Sequence, residues 1–149
     1  MTTTYSGAIE EMFTSFNTLW ASKSNAILGY VPVIYWPGID DGSTADCSKF
    51  YVRLNVQTAV TKQATLSESV VINGSQRFTS YGVFVAEIYS PKRKDSISKG
   101  RELCEAVLSI FRSSTNNVVM RNARIREMPS ENGAVRFNVV TEFEFDEIA

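Results

Sequence analysis

The sequence contains no histidine. That absence removes the commonest general base, the serine and cysteine triads built on imidazole, and most zinc sites. Cysteine is scarce as well. Cys47 and Cys104 are too few for a disulfide scaffold, and Cys104 falls in the apolar stripe of a helical pattern, where it reads as a small buried hydrophobe. No apolar run approaches the roughly 18 residues of a membrane span, and the start MTTTYSGAIEE lacks the basic opening and apolar centre of a signal peptide. The expectation is a soluble intracellular chain with no membrane partner. Charge of one sign is also missing: 15 Lys and Arg against 16 Asp and Glu give a net charge of −1, without the positive excess of a nucleic-acid-binding surface. Neither GxxxxGK[ST] nor GxGxxG occurs. The carboxylate pairs Glu10-Glu11 and Glu142-Glu144 fall on a helix start and on the polar face of a strand. No catalytic residue, cofactor or metal ligand is assigned, and the chain is expected not to be an enzyme.

What is present is patterning. At 149 residues and 44% apolar, residues 1–149 suit one domain with a single core. Residues 76–110 organise it: a long aromatic and β-branched strand, a charged turn and an amphipathic helix. Along residues 78–89, Phe78, Ser80, Gly82, Phe84, Ala86 and Ile88 share one face. Thr79, Tyr81, Val83, Val85, Glu87 and Tyr89 share the other. Both faces are rich in apolar residues, so both are expected to be covered. The helix that follows covers only one, through Ile97, Leu103, Cys104, Val107, Leu108 and Phe111, with Asp95 or Ser96 as its N-cap. The other face is left to the first helix, a loop or another subunit.

Residues 4–22 read as an amphipathic helix with Ile9, Met12, Phe13, Phe16, Leu19 and Trp20 on one side, and Glu10 and Glu11 in early turns where carboxylates favour the helix dipole. Lys23-Ser24-Asn25 reads as its end. Residues 30–36 form a short strand that Pro32 assigns to an edge. Asp40, Asp41 and Asp46 occupy a loop whose spacing does not follow an EF-hand, so it reads as a solvated acidic loop. Residues 49–57 alternate cleanly as a strand, residues 58–69 are polar and ambiguous, and residues 70–72 lead into the hairpin turn Asn73-Gly74. Lys92-Arg93-Lys94 is the only dense basic cluster and reads as a solvated turn. Residues 118–128, with Arg121, Arg124 and Arg126, and residues 135–145 form a closing antiparallel hairpin. The predicted class is α+β, a mostly antiparallel sheet with two amphipathic helices packed on it, in the order α-β-β-β-β-α-β-β.

With that order in hand, the chain resembles the tail terminator proteins of long-tailed bacteriophages over nearly its whole length. The carrying segments are GAIEEMFTSFNTLW, KFYVRLNV, RFTSYGVFVAEIYSPKRKDSISKGRELCEAVLSIF and VVMRNARIREMPSENGAVRFNVVTEFEF. Members often have a glycine-rich turn after the strand's proline; here Lys92-Arg93-Lys94-Asp95 occupies it. The resemblance implies a structural protein of the virion tail, assembled in the host cytoplasm. Six copies would form a ring on the tail tube protein, end tube polymerisation, meet a head-completion or connector protein and let DNA pass through the lumen without sequence-specific binding. A ring is a closed heterologous assembly, so each subunit needs two different contact patches. Subunit or tube contacts are expected from Tyr81, Val83, Tyr89, Lys92, Arg93, Arg124, Arg126 and Arg136. A neck or head-completion protein is the alternative. A small nucleic-acid-binding module using Lys92, Arg93, Lys94 and the tyrosines is a third reading.

Overall fold

The architecture follows from two helices that have only one sheet face to share. The structure, a computed structural model, describes residues 2–38, 48–63, 77–113, 115–129 and 134–148. The acidic loop at 39–46, Cys47, the strand at 70–72 with its Asn73-Gly74 turn, and residues 130–133 of the last turn lie outside the described residues. The elements are α1 (Tyr5–Leu28), β1 (Val33–Tyr35), β2 (Tyr51–Gln63), β3 (Arg77–Pro91), α2 (Lys94–Phe111), β4 (Val118–Glu127) and β5 (Ala134–Ile148). The class is α+β, as expected, and of the order α-β-β-β-β-α-β-β only the strand at 70–72 falls outside the described residues.

α1 begins where Thr4 Oγ1 accepts the Gly7 amide at 3.0 Å. It runs past the Lys23-Ser24-Asn25 stretch that reads as its end. Ser24 donates its hydroxyl to the Trp20 carbonyl at 2.6 Å and so sits satisfied within the helix. The helix stops only at Gly29, whose φ of +80° is the left-handed conformation glycine adopts without a Cβ penalty. Ala8, Met12, Phe16, Trp20 and Ser24 are the buried stripe, at a spacing of four. Because the helix starts at Tyr5, its first turn holds no acid, and Glu10 and Glu11 lie beyond the reach of the helix-end field.

α2 also starts earlier than its cap residues suggest. Arg93 occupies the N-cap position with no side-chain cap bond, Asp95 lies inside the first turn, and Ser96 is buried. The Ser90 hydroxyl donates to the Ser96 carbonyl at 3.2 Å and pins the turn from β3. Gly100 permits close approach to the sheet, since a Cβ there would sit 2.7 Å from Phe137 Cε2. Cys104 is fully buried, and that burial, first among the causes, pushes its thiol pKa up to about 12, so it stays neutral.

The sheet order is β1-β2-β3-β5-β4. β1 pairs parallel with β2, and the other neighbours are antiparallel. β1 is an edge strand, as Pro32 implies. β2 continues through the mostly polar residues 58–63 because they pair with the first half of β3, past a register shift between Thr58 and Val60. Both helices lie on the Phe84 face. Phe84 meets Phe16 at 6.1 Å and Phe111 at 5.0 Å between ring centroids, and the fully buried Trp20 stacks on Phe16 at 5.6 Å. The first helix therefore does not cover the Tyr81 face. Among the described residues no helix does.

Candidate interaction surface

The face opposite the helices is built from alternating residues of β2, β3, β5 and β4, with Tyr35 of β1 at its rim. The register sets them in rows: Tyr51 beside Tyr89 beside Arg136, Arg53 beside Glu87 beside Asn138 beside Arg126, and Asn55 beside Val85 beside Val140 beside Arg124. Val83 faces Glu142, and Tyr81 faces Glu144.

The first two rows form a closed layer. Tyr51 and Tyr89 stack at 4.5 Å with planes 7° apart, and Tyr35 meets Tyr51 edge-on at 5.5 Å. The Arg53 guanidinium lies 5.8 Å above the Tyr89 ring. It also grips Glu87 as a fork, donating Nε–H to Oε2 at 2.9 Å and Nη2–H to Oε1 at 2.8 Å. Arg136 Nη1 stands 4.0 Å from Glu87 Oε1. Two cations thus flank one carboxylate whose side chain is 11% exposed. Burial of a lone carboxylate is costly, and the fork offsets that cost. Residues 51–53 read Tyr-Val-Arg, and residues 87–89 read Glu-Ile-Tyr. Laid antiparallel, the two triplets mirror each other, and that mirrored pattern is the sequence signal for this layer.

The far half of the face is looser. Arg121 pairs with Glu144, and Arg124 lies 3.5 Å from Glu142. Arg126, paired with Asn138 through the backbone ladder, is exposed, and its side chain makes no ion pair among the described residues. Strict alternation would put Arg121 on the opposite side from Arg124 and Arg126. The register instead shifts between Arg121 and Arg124, at Asn122, whose φ of +57° is one asparagine tolerates. All three arginines therefore share the open face.

Of the expected contact residues, Tyr81 is 40% exposed, Val83 is half-buried, and Arg124 and Arg126 are exposed on this face. Tyr89 is on it too but is 3% exposed, consumed by its stacking partners. Arg136 is tied into the Glu87 layer. Lys92 and Arg93 do not join the face. They lie in the exposed turn after β3, where Arg93 Nη2 donates to the Ser48 carbonyl at 3.4 Å. Sequence reasoning placed Glu87 on this face but did not name it as a contact, and it missed Arg53, Tyr51 and Tyr35 as members of this surface.

Two depressions of about 240 and 220 Å³ flank Tyr81 and share Glu144 in their walls. Both are smaller than the roughly 300–1,000 Å³ typical of small-molecule sites. A wider trough of about 550 Å³ runs beside Glu10, Glu11 and Thr115. There Glu11 is already engaged, accepting the Asn117 amide at 3.0 Å and its Nδ2 at 2.9 Å. Burial alone would raise the Glu11 pKa, but hydrogen bonds from Thr115 and Asn117 hold it below the ordinary carboxylate value. Glu142 and Glu144 serve the arginines of β4. Among the described residues no group of three His, Cys, Asp or Glu side chains is placed to hold a metal ion, and no helix is long and apolar enough to cross a membrane.

No family model matches the chain, and no curated protein matches it. One solved structure, whose name describes no activity, has a TM-score of 0.60 at 16% identity over 92% of this chain and 94% of that one. That likeness establishes the fold alone.

Proposed function

We propose that this chain is a non-catalytic structural subunit of a phage tail, of the tail-terminator kind. Copies close into a ring, with six subunits expected, at the end of the tail tube, stop its polymerisation and present a surface for head joining. The observation that carries the reading is a sheet face free of helices among the described residues, bounded by two unlike edges, three-residue β1 and ten-residue β4. A heterologous ring requires two different patches per subunit, which one sheet with dissimilar edges supplies. The open face is ordered by the Arg53–Glu87 fork and the tyrosine stack, so a partner meets preset side chains at little ordering cost. The basic turn at Lys92 and Arg93 lies apart from this face, and the near-neutral charge suits a lumen that DNA passes without being held.

The test is the mass of the purified chain by light scattering behind a sizing column, across concentration, alone and with tail tube protein. A discrete ring-sized species is expected in one of the two conditions. A monomer in both would overturn the reading.

A further inference from the structure

We infer that subunits join edge to edge, β1 of one copy lying beside β4 of the next, so that one sheet continues from subunit to subunit. The inference rests on the ring reading above and adds which surfaces meet. Among the described residues, no strand pairs with the outer side of β1 or of β4. Unpaired strand edges present rows of free N–H and C=O groups that template another strand. The large apolar side chains left in water gather at these two places: Tyr30, Val31 and Val33 on or just before β1, and Val119 and Ile125 on β4. Only Tyr5 and Tyr81 are exposed elsewhere among the described residues. Val33 is 58% exposed and Val119 50%, a costly placement for strand residues that meet only water.

The two edges are also chemically complementary. Residues 24–38 carry no charged side chain, and around β1 they are aromatic: Tyr30, Tyr35 and Trp36. The Tyr30 hydroxyl accepts the Phe50 amide at 3.2 Å, which fixes a ring that is 38% exposed. β4 presents Arg121, Arg124 and Arg126. A guanidinium over a tyrosine ring is already used within this subunit, where Arg53 covers Tyr89. The cis pairs of Arg121 and Arg124 are surface pairs, with both arginine side chains about half exposed, so they yield to a better partner at little cost. Lengths agree too. The irregularity at Asn122 divides β4 into segments at 118–121 and 124–127, each able to seat the three residues of β1. An uncharged aromatic edge has no attraction for a copy of itself beyond apolar area, and an arginine edge repels its own copy. The favoured pairing is therefore head to tail, which closes rings.

The experiment uses the full chain in three forms: wild type, Val33→Glu and Ile125→Glu. Both substituted positions are exposed, so circular dichroism and thermal melting are expected to match wild type. Each variant alone is expected to run at the mass of one chain where wild type forms its multimer. Mixed, the two variants are expected to give a 1:1 heterodimer and nothing larger, because the intact β4 of Val33→Glu still meets the intact β1 of Ile125→Glu. Variants that keep the wild-type multimer, or a mixture that stays monomeric, would overturn the edge pairing and leave the ring reading standing. A wild type that is monomeric with and without tube protein would overturn both.

Discussion

The two faces of this sheet bury their side chains by different means. On the helix side, Phe84, Phe137 and Phe143 are at most 2% exposed under the aromatic stripes of α1 and α2. On the open side, Tyr51, Tyr89, Glu87 and Val140 are at most 8% exposed with no helix above them among the described residues. There neighbours on adjacent strands cover one another, ring on ring and guanidinium on ring, with the Glu87 carboxylate held by the Arg53 fork. The first arrangement is a core. The second is a firm surface that tolerates water and keeps its side chains in fixed positions, which suits docking.

The contrast breaks most sharply at Phe84. Phe84→Ala is expected to cost about 3–5 kcal/mol in urea unfolding, because the helices cannot collapse onto the space vacated among Phe13, Phe16 and Phe111. Tyr81→Ala, three residues away on the other face, is expected to stay within about 0.5 kcal/mol of wild type. Comparable losses at the two positions would mean that something covers Tyr81 in the isolated chain.

A smaller effect sharpens the account of the open face. Glu87→Gln leaves Arg53 and Arg136 facing a neutral amide, and is expected to cost about 1.5–3 kcal/mol, the range for hydrogen bonds to charged groups. Replacing Arg53 by Met together with Glu87 by Leu is expected to restore most of that loss, since the pair's net contribution is small once both partners are apolar. A double variant weaker than Glu87→Gln would show that the fork itself stabilises the sheet.

The smallest effect lies at the junction of α1 with the turn before β4. Glu11 has a folded pKa below its unfolded value, so its contribution is present above the ordinary carboxylate pKa of about 4.3 and is lost as pH falls through the folded value. The stability gap between wild type and Glu11→Ala is therefore expected to be constant near neutral pH and to narrow below about pH 4. A gap that widens on acidification would contradict the hydrogen bonds from Thr115 and Asn117 as its source.

Legibility differed between the faces for a physical reason. The covered face is a burial pattern, and periods of two and four in Phe84-x-Ala86-x-Ile88 and Ala8, Met12, Phe16, Trp20 can be read locally. The length of α1 was less legible, because Ser24 is a poor helix former by type yet is satisfied by the Trp20 carbonyl. The extension of β2 through residues 58–63 was invisible, since polar residues there are strand only by virtue of pairing with β3. On the open face the individual residues of β3 were found, but Tyr89 was expected to be a contact and is instead consumed by Tyr51 and Arg53. Whether a polar-face side chain is free depends on what the neighbouring strand places beside it, and that neighbour is distant in sequence.

From the sequence alone came the α+β class, the two amphipathic helices, the long central strand with its two distinct faces, and the assignment of the Pro32 strand to an edge. These are local properties of period, propensity and turn chemistry. Tertiary structure alone decided that β5 lies between β3 and β4, making β4 the second edge. It also decided that both helices share one face, and that Asn122 turns Arg124 and Arg126 to the side of Arg121. Strand order and register are settled by long-range pairing and core packing, which a local pattern constrains but does not specify.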